Sequence, residues 1–210
     1  MKMCLACTLL VLLQSAFVTA AQDKTEYSID DAKSKLEINV YKEGLFKAFG
    51  HDHLIAAREV SGSVQFDAQM IENSSVRLKV GARSLTAIDP GESEKDRHDV
   101  QATMTGEKVL DVTKFPEIVF SSTSVSAVKK TADGWELTVS GKLGLHGVEK
   151  AVSLPIHVRL EGSQLAAQGE VSLLQTEFGI KPVNVAGGSV KVKDKLRISF
   201  AIVATRINSR

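Results

Sequence analysis

Cysteine is almost missing from this chain of 210 residues, for the two present, Cys4 and Cys7, both lie at its very start. Beyond them there is no thiol for a disulfide, a thiolate metal site or a cysteine nucleophile. Proline occurs four times, aromatic residues make up 5% of the chain and tryptophan occurs once. Charge of one sign is missing as well: 26 Lys and Arg stand against 25 Asp and Glu. Nucleic acid and anionic lipid surfaces are usually met by a basic excess, so that balance speaks against both as partners. The signatures of catalysis and cofactor binding are also missing. There is no Gly-x-Ser-x-Gly elbow, no His-Glu-x-x-His pair, no phosphate loop and no Gly-x-Gly-x-x-Gly fingerprint. Gly141, Gly144 and Gly147 are spaced by three, along a strand and its turn. Asp96 and Asp99 beside His98 read as a solvated helix face. Neither an enzyme nor a resident cofactor is expected.

What is present begins with a leader. Lys2 supplies a positive end, Leu9 to Val18 an apolar core, and Val18-Thr19-Ala20 or Thr19-Ala20-Ala21 a small-residue cleavage site. The apolar run falls short of the ~20 residues a membrane span needs, and no basic stop-transfer cluster follows it. Residues 1–21 are therefore expected to be a cleaved signal peptide, 22–210 a single domain, and the protein periplasmic or secreted without stable membrane insertion. Cleavage removes both cysteines and one cation, leaving 25 basic against 25 acidic residues.

Period-2 alternation dominates the rest. From Trp135 to Leu145 the odd positions are apolar and the even ones mostly polar, the pattern of a half-buried strand. Across the segment His146 to Lys150 the apolar face passes to Val152, Leu154, Ile156, Val158 and Leu160. This is a long hairpin, and Gly147 can take the positive φ such a turn often needs. Similar alternation recurs over Leu36–Tyr41, Val60–Phe66, Val76–Ala82, Ile118–Val128, Leu165–Leu173 and Leu196–Ala204. About eight strands joined by short connections favour an antiparallel up-and-down barrel. One break stands out. Pro90-Gly91 ends a strand, Ser93 to Asp96 reads as a helix cap, Val100 and Met104 share a face, and Gly106 ends the helix. That short helix is expected to cover one barrel end. Pro155 cannot donate a ladder hydrogen bond, so its strand should be an edge or carry a bulge there.

Several segments together resemble the YceI family of lipid-binding domains. They are Val139 to Lys150, the strand entry Phe115 to Ser122, and Phe178-Gly179-Ile180, with Gly62, Phe66, the Met104 helix and Val192 to Phe200 in matching order. The resemblance implies a lipocalin-like, eight-stranded antiparallel barrel whose tunnel holds a polyisoprenoid or similar amphiphile. Side chains either fill a barrel of this size or leave it open for one ligand, and the sequence does not decide between them; small inward residues would favour the open form, and Gly141 is at one such position. Ile38, Val64, Phe66, Leu78, Leu137 and Val139 become candidate lining from the first strands. Leu143, Leu154, Ile156, Ile198 and Phe200 continue the lining through the later ones.

This chain reads Phe49-Gly50-His51-Asp52-His53 where many relatives carry a single histidine. Phe49, His51 and His53 are candidate mouth residues. In an extended strand the two imidazoles would share a face ~7 Å apart. One reading has them orient the polar head of a quinone, alcohol or phosphate. The alternative has His51 and His53 ligate a metal or haem, with His98 or His146 as a third donor. His157 is expected at the surface. The expectation is thus a non-catalytic carrier of a polyisoprenoid, isoprenoid quinone or fatty-acyl lipid, with an exposed barrel edge that would allow a homodimer.

Overall fold

The computed structural model describes residues 24–43, 52–185 and 190–207. The proposed signal segment, Phe49 and His51 lie outside them. Within the described residues twelve strands and one α-helix follow in chain order. They are β1 (Thr25–Ile29), β2 (Lys35–Glu43), β3 (His53–Ala56), β4 (Val60–Phe66), β5 (Ser75–Gly81), β6 (Thr86–Ala87), α1 (Glu94–Thr105), β7 (Glu117–Lys130), β8 (Trp135–Leu145), β9 (Val148–Glu161), β10 (Gln164–Leu174), β11 (Asn184–Val185) and β12 (Val190–Arg206).

Every pairing is antiparallel, and β12 meets β1 and β2 on one side and β10 on the other, which closes the sheet. The ring has eight positions because three staves are each broken into two strands, β1 with β2, β3 with β4, and β5 with β6, and the two-residue β11 lies off the ring path and pairs only with β12. Neighbours around the ring are neighbours in sequence. The fold is the expected up-and-down barrel, and the alternating apolar residues of each stave form its interior.

Two local features differ from the sequence reading. The β8–β9 turn is His146-Gly147 alone, since Leu145 pairs with Val148 and Val148 to Lys150 extend β9. Both turn residues have positive φ, 51° and 75°, as the tight two-residue turn that matches strand twist requires. Gly141 does not widen the interior either. A Cβ there would stand 2.6 Å from the Phe120 ring, which already occupies that space.

Pro155 pairs with Thr138 in unbroken register, so it carries no bulge. It lies where β9 becomes an edge: pairing with β10 runs only from Gln164–Glu161 to Gly169–Ile156. Beyond that point the wall has a seam between Val148–Pro155 and Glu170–Leu174. The 3-10 turn Gln175–Phe178 fills it, with Phe178 fully buried.

α1 forms where the sequence places it. The Ser93 hydroxyl accepts the Asp96 backbone N–H at 3.1 Å, and Gly106 ends the helix. Gln101 ties it to the barrel, for its Oε1 accepts from Ala87 N at 3.1 Å and its Nε2 donates to the Leu85 carbonyl at 2.7 Å, while Val100 and Met104 pack against the apolar interior. The helix therefore covers the end of the barrel where β6 stops. No helix among the described residues is long and apolar enough to cross a membrane.

Candidate functional site

The barrel encloses a cavity of about 310 Å³. Its wall is almost wholly hydrocarbon: among the described residues that line it, only Ser74, Ser75 and Gln175 are polar and none is charged. This follows from the period-2 pattern, which turns one apolar row of each stave inward. All the candidate wall residues from Ile38 to Phe200 named above lie on this lining. Small Ala167, which the sequence reading passed over, lines it too.

The two ends differ. At one, Phe66 packs edge-on against Tyr27 and Trp135, with ring centroids 6.3 and 5.7 Å apart. Tyr27, Phe66 and Ile71 are buried there, so that end is shut by side chains. At the other end Met104 of α1, with Val109 and Leu110 beyond it, reaches over the cavity, and Phe178 and Ile180 approach from the seam. That closure consists of a helix and turns, elements held by few contacts compared with strand pairing.

His53 stands at the helix-covered end, one position outward of cavity-lining Ile55 on the same face of β3 and opposite Val40 of β2. Its Nδ1 lies 3.2 Å from Asp89 Oδ2 and 3.2 Å from Glu92 Oε1. The Leu54 backbone N–H donates to the other Asp89 oxygen and so fixes that carboxylate. Gly91, at φ 89°, turns the chain sharply enough to bring Glu92 back beside Asp89. Sequence reasoning missed both carboxylates, although the Asp89-Pro90-Gly91-Glu92 turn was a signal that they could converge.

The other histidines sit apart. His98 is 83% exposed on α1, beside Asp99. His146 approaches the Phe178 carbonyl through Nδ1 at 3.3 Å and packs on the Phe115 ring at 4.8 Å. Neither supplies the third donor expected for a histidine metal site. His157 is half-buried, with Nε2 3.4 Å from Asp133, rather than free at the surface.

Residues 27–204 match the model of a YceI-like domain. The chain belongs to the YceI-like domain family. Among its relatives, a UPF0312 protein of Yersinia enterocolitica is 30% identical over 179 residues, covering 85% of this chain and 79% of that protein. Protein YceI of Salmonella arizonae is 29% identical over the same shares. Among solved structures, BcnA of Burkholderia cenocepacia superposes with a TM-score of 0.65 at 22% identity, covering 84% of this chain and 99% of that one. A polyisoprenoid binding domain from Saccharophagus degradans, implicated in plant cell wall breakdown, gives 0.58 at 14% identity over 86% and 98%. These structural matches establish the shared YceI-like barrel. Three segments that carried the family resemblance also meet in space. Phe115 packs on His146, a Cβ on Gly147 would touch Phe115, and His146 reaches the Phe178 carbonyl.

Proposed function

We propose that this YceI-like barrel is a secreted, periplasmic carrier that sequesters the hydrocarbon chain of an amphiphile without transforming it. The cargo class is a polyisoprenoid, an isoprenoid quinone or a fatty-acyl lipid. One observation carries the reading: a cavity of about 310 Å³ whose lining, among the described residues, holds three polar side chains and no charged one. Its size is at the small end of the ~300–1,000 Å³ typical of ligand pockets. A neighbour with the same barrel is a polyisoprenoid binding domain, which supports the isoprenoid among the candidates. The amino-terminal sequence supports export.

The aromatic end is shut, so the polar head of the cargo rests at the helix-covered end. Affinity comes from the tail, at ~0.8 kcal/mol per buried methylene before the costs of association. The test is a titration of solvent-stripped protein with fatty acids and prenols of increasing chain length. Affinity is expected to rise about threefold to fourfold per methylene until the cavity is full, then level off. Ala167→Trp, which fills the cavity from β10, should abolish uptake while leaving the circular dichroism spectrum unchanged. Affinity independent of chain length, or undiminished in that variant, would contradict the reading.

A further inference from the structure

The His53, Asp89 and Glu92 side chains converge so that one donor atom from each lies within 4.8 Å of the others. Both carboxylates are withdrawn from water, with side chains only 6% exposed. No lysine or arginine among the described residues pairs with either. Nδ1 of His53 can carry a single proton, yet it faces two carboxylate oxygens at the same 3.2 Å. The second oxygen of Glu92, Oε2, is buried and has no hydrogen-bond partner among the described residues. Among the described residues, two buried carboxylates around one imidazole, with an orphaned acceptor, leave negative charge uncompensated. A cation placed between the three donors would compensate it.

We propose that His53 Nδ1, Asp89 and Glu92 bind a divalent first-row transition metal ion at the rim of the barrel. In a tetrahedral site with bonds of ~2.0–2.1 Å, adjacent donors stand ~3.3 Å apart, close to both distances from Nδ1. An imidazole among the ligands favours zinc and its neighbours over calcium and magnesium, which take oxygen donors. The backbone N–H of Leu54 on Asp89 supplies the outer-shell contact that orients a ligating carboxylate. Three protein donors leave one position open to water or to an oxygen of a bound head group. The ion and the hydrocarbon chain occupy different places, so the site stands whether or not the barrel carries lipid.

The test is calorimetric titration of chelator-treated, lipid-stripped protein with Zn²⁺ alone, repeated with Co²⁺ as a spectroscopic reporter. One ion per chain is expected, with the intense visible absorption of four-coordinate cobalt. Changes to outer-shell partners alone cost ~10–100-fold in affinity, so His53→Ala and Glu92→Gln should each lose at least as much. His98→Ala should bind as wild type does. Glu92→Gln has a further readout: it removes a buried unpaired charge, so without metal it should unfold at the same denaturant concentration as wild type or a higher one. Absence of stoichiometric binding, or binding that survives both substitutions, would overturn the proposal.

Discussion

Phe178 shows how much a single side chain holds in this barrel. It is fully buried, it closes the seam that the short β9–β10 pairing leaves open, and it lines the cavity. Truncation to alanine removes a packed ring whose site cannot collapse, because strand edges hold the space apart. Phe178→Ala should therefore cost ~3–5 kcal/mol in equilibrium denaturation. A loss under ~1 kcal/mol would mean that the seam closes without the ring. The sequence reading placed the Phe178-Gly179-Ile180 segment through family resemblance alone, and no local pattern shows that it fills a gap between strands. It placed His53 by residue type, without its partners. Asp89 and Glu92 reach His53 through a turn whose geometry depends on Gly91, and a pattern of alternating residues does not register such a contact.

At the scale of elements, the turn that carries Phe178 is tied to β12 by Asp194. The carboxylate accepts the Thr176 hydroxyl at 2.6 Å and the Thr176 backbone N–H at 2.9 Å. Those bonds, the hydroxyl first, lower its pKa below the usual carboxylate value. A carboxylate with a depressed folded pKa adds stability above its unfolded pKa of ~3.9 and loses it as pH falls through the folded value. Asp194→Ala should thus be less stable than wild type at neutral pH, and the gap should narrow below about pH 4 in denaturation at a series of pH values. A gap independent of pH would rule out the ionised carboxylate as the tie. The tie sits where the β12–β2 register shifts between Val192 and Leu196, an irregularity that alternation cannot reveal. The eight long strands were legible because each alternates over enough residues. His53–Ala56 and Thr86–Ala87 were not, since four and two residues are too short to show a period. A related shift affects β7, where Ile118 and Phe120 line the cavity at even positions and Val125 at an odd one. The register breaks between Ser122 and Ser124 account for that exchange of faces.

For the whole molecule, closure turns a row of half-buried strands into a container. Antiparallel neighbours in sequence order, with β12 returning to β1, give the ring that the up-and-down reading anticipated. Whether the interior would be filled or open was not legible, because it depends on how side chains from different staves meet. The small residue chosen for openness, Gly141, is filled by Phe120, whereas space remains along other parts of the wall. The difference between the ends arises the same way: aromatic rings that are distant in sequence shut one, and a helix pinned by Gln101 covers the other. On the function proposed for it, this space holds the chain of an amphiphile. The decisive measurement is native mass spectrometry of the protein expressed in its host and purified without detergent, with solvent extraction of the same sample. The expected result is an added mass that extracts as a long-chain amphiphile and is lost in Ala167→Trp. A bare mass that also gains nothing on incubation with prenols, quinones and fatty acids would contradict it.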